Sequence, residues 1–502
     1  MMNKIHPGRN KMKRNVPLLL VALAVVAGGC TMAPNYIRPA APVPAAWPRG
    51  AAYQEVRAAS NPPSVSELGW REFFRDERLR KVIETAVANN RDLRLAVLNV
   101  EQARAMYGIQ RAELLPSINA TGTGSKQRVP ADLSSTGVRQ TVEQYSVNLG
   151  VISWELDFFG RIRSLKDSAL AEYFATEQAR RSAQILLVTS VANTFLAIAA
   201  DQQSLALAED TLATHQETYN LVKRSYAHGL VPELDLYRAQ TQVDAARGDV
   251  ARLTQRVAQN ENALNLLVGS PTPNDLLPKE LGNVVPPKEI VPGLSSDVLL
   301  CRPDVQQAEN LLKAANANIG AARAAFFPRI SLTAAIGTAS SDLSGLFKSG
   351  SGAWSFAPQI AVPIFDARTW SANKAAKVQQ EIAVTQYEKA IQNAFKEVAD
   401  ALATCGTINQ QVSAQESLVH AVSESCRLST SRYEKGIDNY LSVLDAQRSL
   451  YAAQQGYISL SLAKLTSDIR LYAVFGGGGS DVRVVKKNAN PPPAPVAGNG
   501  GL

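Results

Sequence analysis

Histidine, cysteine and methionine are scarce in this chain, at four, four and five of 502 residues. His6 lies in a basic leader, and His215, His228 and His420 are scattered, so no HExxH zinc motif forms. Neither GxSxG nor GxxxxGK[ST] occurs. The glycine run at 476–479 is not followed by a helical pattern and reads as linker, not as a phosphate cradle. No Met- or His-rich cluster is available to handle metal ions. These absences leave no enzyme, no cofactor site and no metal site legible.

The formal charge of +8 suggests nucleic acid until its location is read. Lys4, Arg9, Lys11, Lys13 and Arg14 precede every acidic residue, and without them the charge is about +3. They lead into a short apolar stretch at 16–27, which reads as a secretory signal too short to span a bilayer. No nucleic-acid partner is expected. The stretch ends Ala27-Gly28-Gly29-Cys30, similar to a bacterial lipobox with Ala27 in place of the usual Leu. In that reading residues 1–29 are removed, and Cys30 carries a diacylglycerol and an acyl chain. Thr31, rather than Asp, then implies sorting to the outer membrane. Ordinary cleavage beside an incidental cysteine is the alternative.

Three cysteines remain for an oxidising compartment. Cys405 and Cys426 lie on one expected helix, roughly 31 Å apart at 1.5 Å per residue, and cannot pair with each other. All three read as packing residues, with a bridge involving Cys301 left open.

The chain repeats itself. "YAHGLVPELDLYRAQ" from Tyr226 returns as "YEKGIDNYLSVLDAQ" from Tyr433, 207 positions on. Asp92, Ala103, Gly108, Arg111, Ala112, Pro116 and Ile118 return as Asp304, Ala315, Gly320, Arg323, Ala324, Pro328 and Ile330, 212 positions on. A shorter hairpin loop in the second copy accounts for the different offset. The expected division is therefore a Pro- and Ala-rich arm at 30–75, a first repeat at 76–296, a second at 297–475 and a disordered tail at 476–502.

Each copy reads as helix, two strands, long helix, turn, helix. Tyr145, Val147, Leu149 and Val151 alternate with Ser146, Asn148 and Gly150. Ile330, Leu332, Ala334 and Ile336 alternate likewise, as do Trp354, Phe356, Ile360 and Val362 around Pro358. Membrane strands and half-buried strands of a soluble sheet share this pattern. Gly and Pro are missing from 161–228, and only Gly406 interrupts 367–435. Uninterrupted helices of that length reach roughly 100 Å. Ile185, Val188, Val191, Phe195 and Ile198 supply an apolar face to the first. A soluble coiled coil is the competing explanation. Four strands cannot close a barrel, and lipid does not tolerate open sheet edges. If the strands enter a membrane, several chains must pool them, and three copies leave a lumen where two do not.

"CRPDVQQAENLLKAANANIGAARAAFFPRI" from Cys301, "WELDFFGRIR" from Trp154, "VPIFDARTW" from Val362 and "YEKGIDNYLSVLDAQR" from Tyr433 together resemble the TolC-type outer-membrane factor family. They look most like its OprM-type lipoprotein branch, over about 30–475. The resemblance implies an α+β membrane protein. It would be a homotrimer with a twelve-stranded β-barrel, four strands per chain, on a periplasmic α-helical barrel. An equatorial band near mid-height would gather the Pro-rich connector at 276–297 and the tail.

By the same resemblance the second hairpin carries the periplasmic gate. Leu441 and Asp445, four apart on one helix face, match the apolar and acidic rings of the family. Arg448, three positions on, is placed to neutralise Asp445. Arg432 and Tyr433 precede the turn, and Asp438 stands where some relatives carry Arg. Arg224, Tyr226 and Asp235 of the first hairpin are possible partners. The turns around Gly229, Pro232, Asp235 and Gly436 are the expected contact for a periplasmic membrane-fusion adaptor. A conduit with no ATP chemistry requires an inner-membrane pump, and the resemblance to the lipoprotein branch implies one of the resistance–nodulation–division (RND) type. Passive efflux of drugs or other small toxic compounds is then the leading function. Type I protein secretion, metal-ion efflux and a non-transporting periplasmic scaffold are the alternatives.

Overall fold

The computed structural model describes residues 31–53, 68–288 and 296–477. The signal segment, Cys30 and the tail beyond Gly477 lie outside the described residues. So do residues 54–67 of the arm and 289–295 of the connector. Two compact units emerge, one from residues up to 40, 99–177 and 307–387, the other from 41–98, 178–306 and 388 onward. The helices are α1 Glu77–Asn89, α2 Arg91–Ala112, α3 Arg161–Ala227, α4 Glu233–Val268, α5 Pro303–Ala324, α6 Ala367–Glu434 and α7 Tyr440–Val474. The strands are β1 Ile118–Val129, β2 Gln140–Leu156, β3 Arg329–Ser340 and β4 Gly352–Ala361.

The first unit holds the sheet, antiparallel in the order β1-β2-β3-β4. Each repeat supplies one hairpin, and β2 joins β3 across the two. The register aligns Leu149 with Ile336 and Ile336 with Trp354, and sets Val151, Ala334 and Phe356 in the next row. Successive side chains point to opposite faces, so these rows make one apolar face. Its exposure is the telling quantity: Leu149 is 53%, Ile336 67% and Trp354 79% open. A row of large apolar side chains this open requires an apolar surround. The opposite face carries Thr121, Thr123, Gln144, Ser146, Asn148, Ser331 and Thr333. Between Val151 and Trp154, β2 bulges by one residue. Ser153 sits there at φ 53° and donates its N–H to Thr333 Oγ1 at 3.1 Å. The extra residue returns Trp154 and Leu156 to the apolar face. Among the described residues β1 and β4 are each paired on one side only.

Residues 31–40 of the arm run along α5 in the same unit. Asn316 Nδ2 donates to Pro34 O at 2.8 Å, and Arg38 clasps Glu309 with bonds of 2.9–3.1 Å. Glu309 is 5% exposed, yet its carboxyl stays below the usual range because Lys313 and Arg38 outweigh the burial that would raise it. Gly320 is required here: a Cβ would meet Ser164 Oγ at 2.5 Å and Ala33 N at 2.7 Å.

In the second unit Val188, Val191, Phe195 and Ile198 of α3, Val398, Ala401 and Leu402 of α6, and Ile469 and Tyr472 of α7 are buried. The most apolar window of α3, mean hydropathy 1.7, belongs to this helix core, with 56% of it buried. Trp47 of the arm stacks on Phe395 at 5.1 Å, and Phe73 on Tyr472 at 4.2 Å. Gly406, the lone glycine of α6, has Ala52 O where its Cβ would be. Both copies close the same way. In the first, Asn90 Nδ2 donates to Leu267 O at 2.9 Å; in the second, Arg302 Nη1 donates to Val474 O at 2.8 Å. Gly269 and Gly476, at φ 76° and 74°, follow those helix ends in the left-handed conformation that terminates a helix.

Candidate functional site

The paired hairpins, both in the second unit, hold most of the residues singled out from the sequence. α3 ends in a Schellman turn: Gly229 N–H donates to Tyr226 O at 2.9 Å and Leu230 N–H to Ser225 O at 2.9 Å. α6 ends identically, with Gly436 to Tyr433 O at 2.8 Å and Ile437 to Arg432 O at 3.0 Å. Both glycines have positive φ, 71° and 69°, with open space where a Cβ would be. The returning helices start differently. Pro232 is the N-cap of α4. α7 begins at Tyr440, where Asn439 Oδ1 accepts from Ser442 N–H at 3.3 Å.

The hairpins pack on each other through Val222, Ala239, Tyr440, Val443 and Leu444, flanked by Tyr219, Val231, Leu236 and Tyr433. Burial pushes the Tyr440 hydroxyl up to about 12, with Tyr433 and Asp235 adding to the shift. Tyr433 is raised by burial first and by Asp235 second. Asp235 itself pairs with Arg238 at 3.3 Å.

Arg432 and Asp438 meet across the second turn: Nε donates to Oδ2 at 2.6 Å and Nη2 to Oδ1 at 3.0 Å. The fork holds the Asp438 carboxyl below its ordinary range. Solvent screens it, so its effect is to orient the turn rather than to stabilise the fold. Sequence reading named both residues but missed their pairing within one chain; a spacing of six across a glycine turn was the available signal.

Tyr440, Val443 and Leu444 face inward, which turns Leu441 and Asp445 out on the opposite side of α7. Leu441 is 42% exposed, and Asp445 has no hydrogen-bond or ion-pair partner among the described residues. Arg448 does not neutralise Asp445 within the chain. Its Nε donates instead to Gln242 Oε1 on α4 at 3.1 Å, because that side chain is directed to the hairpin seam. His215 is buried in the same region, its Nδ1 unpartnered and its pKa held down by burial and then by Arg448.

Away from the hairpins, Arg302 was quoted from the sequence without a role. Only 7% exposed, it donates to Asp304 at 2.7 and 3.0 Å, to Glu397 at 2.7 Å and to Val474 O. Nothing local to "RPDV" announces Glu397, 95 positions away. Among the described residues no His, Cys, Asp or Glu group is arranged to hold a metal ion, and Cys301, Cys405 and Cys426 are free thiols.

The described residues thus hold long helices in a tandem repeat, helical hairpins at their turns, and a sheet with one exposed apolar face and two strands paired on one side only. The family model described as outer membrane efflux protein matches residues 82–270 and 294–477, and the chain belongs to that family. It is 50% identical over 463 residues to the toluene efflux pump outer membrane protein TtgC of Pseudomonas putida, covering 92% of this chain and 95% of that one. It is 42% identical over 472 residues to the outer membrane protein OprJ of Pseudomonas aeruginosa, covering 93% and 96%. Among solved structures, the open state of the Neisseria gonorrhoeae MtrE outer membrane channel superposes with TM-score 0.80 at 37% identity, over 90% of this chain and 99% of that one.

Proposed function

We propose that three copies of this chain form the outer-membrane exit duct of a tripartite efflux system, passively conducting drugs, solvents or other small toxic compounds. The observation that carries the reading is the sheet. Its edge strands lack partners, one face is apolar and open, and the other is polar. Threefold closure makes twelve strands, removes every edge, turns the apolar face to lipid and leaves a polar lumen. The α-helices continue the wall into the periplasm as a helical barrel. The relative named for toluene efflux supports small apolar cargo.

The wall has no catalytic step to perform, so direction comes from an RND-type inner-membrane pump joined through a periplasmic adaptor. The turns at Gly229, Pro232, Asp235 and Gly436 are the adaptor's contact. Leu441 and Asp445, free within the chain, form an apolar and an acidic ring around the threefold axis, and Arg432, Tyr433, Asp438 and Arg448 fix the hairpins that carry them. Cys30 carries the lipid anchor. In support, Ala33, three residues on, lies against Gly320 near the strand end of α5. The division into signal, arm, two repeats and tail follows the duplicated element order.

The test is conductance in planar bilayers. Asp445→Ala is expected to raise single-channel conductance about twofold or more and to weaken block by multivalent cations, since three like charges close together hold counter-ions. Unchanged conductance and unchanged block remove Asp445 from the gate.

A further inference from the structure

The polar face of the sheet carries almost no charge. Along the register, β1 contributes Asn119, Thr121, Thr123, Ser125 and Gln127, and β4 contributes Gln359, Ala357, Ser355 and Ala353. β2 and β3 add Gln144, Ser146, Asn148, Gly150, Thr333, Ala335 and Gly337. Only Glu155 and Arg329 are ionised on this face, and both lie at its helix end, Glu155 opposite Ser331 and Arg329 opposite Ala361. Arg161, the first residue of α3, completes the cluster: Nε and Nη2 donate to Glu155 at 2.8 and 2.9 Å. Arg329 Nε reaches Glu155 Oε2 at 3.0 Å. One carboxylate thus serves two guanidiniums, and Arg161 also feels Glu113 and Asp157, the latter bonded to Arg163, so the charge left with only a shared carboxylate is that of Arg329. Arg161 and Glu155 are sheltered, at 26% and 16% side-chain exposure, whereas Arg329 is 58% open. The uncompensated charge is the one that meets solvent. The first repeat has no equivalent, since Ser117 stands at the matching position.

We infer that Arg329 is an ion-selectivity residue of the channel, a basic ring where the polar lumen of the strands meets the helices. The inference rests on the threefold closure proposed above, with the polar face inward. Three exposed guanidiniums then border a lumen otherwise lined by uncharged side chains. They raise the local concentration of anions and lower that of cations within a Debye length. The hairpin end, by contrast, presents Asp445. The duct would therefore be acidic at one end and basic at the strand junction. Anionic and zwitterionic cargo would gain a favourable second station after passing the tip.

The experiment is the reversal potential of the reconstituted full-length protein in a potassium chloride gradient, in an Asp445→Asn background that removes the acidic ring. Arg329→Gln is expected to lower the chloride-to-potassium permeability ratio about threefold, a size set by three screened charges near the axis. Glu155→Gln is expected to move the ratio the opposite way, because it takes from Arg329 the carboxylate it shares with Arg161. Arg329→Lys is expected to keep the parental ratio. Opposite shifts from two neighbours cannot come from a shared distortion of the strand end. A conducting channel whose ratio is the same in all four proteins overturns the inference and leaves the duct intact. A parental protein that conducts nothing overturns both.

Discussion

Helices α2 and α5 have the same length, 22 residues, and the same place in their repeats, yet opposite surroundings. α5 buries Val305, Leu312, Ala314, Ala315, Ala317, Ile319 and Ala324; α2 buries Leu93 alone. Leu95, Leu98, Met106 and Ile109 of α2 stand open, Ile109 at 63%. The arm accounts for part of the difference: it lies on Gly320, while Gly108, the matching glycine, faces empty space. A duplicated sequence thus gives one covered copy and one bare edge. In the threefold assembly proposed above, this exposed apolar stripe is where another copy would pack.

The strongest way to break this comparison is to make the bare edge polar. Met106→Asp with Ile109→Asp is expected to weaken association of the chains at least about a hundredfold, seen as dissociation to single chains in analytical ultracentrifugation. An unaltered oligomer would show that α2 faces lipid or solvent instead. Next in size is the closing tie of each repeat. Arg302→Ala is expected to destabilise by about 2–3 kcal/mol, because the Val474 carbonyl and two carboxylates lose one buried donor. Asn90→Ala removes one carbonyl bond and the cap on Leu93 N–H, and is expected to cost about 1–2 kcal/mol. Equal losses in chemical denaturation would contradict the heavier duty assigned to the second copy.

Smaller still is the glycine pair. Gly320→Val is expected to cost about 1–3 kcal/mol by overpacking and to expose residues 31–40 to protease. At Gly108 an added Cβ meets nothing within 4 Å, so Gly108→Val should leave arm protection unchanged. The last contrast is in the hairpins, where the first copy buries His215 and the second has Val422 at the matching position. The folded pKa of His215 is depressed by burial and by Arg448. Its contribution is complete above the free imidazole value of about 6.5 and is lost as pH falls below it, when only the unfolded chain takes up the proton. Thermal midpoints at pH 7.5 and 5.5 should therefore converge in His215→Gln. A variant that keeps the full acid sensitivity would assign the effect to another group.

Much of this was legible in the residues. The duplicated "YxxG" turns placed both hairpins, the Gly- and Pro-free runs placed the long helices to within a residue, and the alternation from Tyr145 to Val151 placed β2. Those features depend on neighbours in sequence, where period and turn chemistry act. What stayed hidden is non-local. Gly320 and Gly406 are fixed by an arm hundreds of positions away, Arg302 by Glu397, and Arg329 by Glu155. The pairing of β2 with β3 depends on three intervening helices folding back, which no local window records. The residues expected at a gate were the intermediate case: they were named, but Arg448 turned to Gln242 and Arg432 to Asp438.

The most direct measurement is electron cryomicroscopy of the detergent-solubilised protein viewed end-on. Three chains in a closed ring around a solvent-filled bore, with α2 of each against its neighbour, is the predicted image. Particles of a single chain, or a filled assembly with no bore, would contradict it.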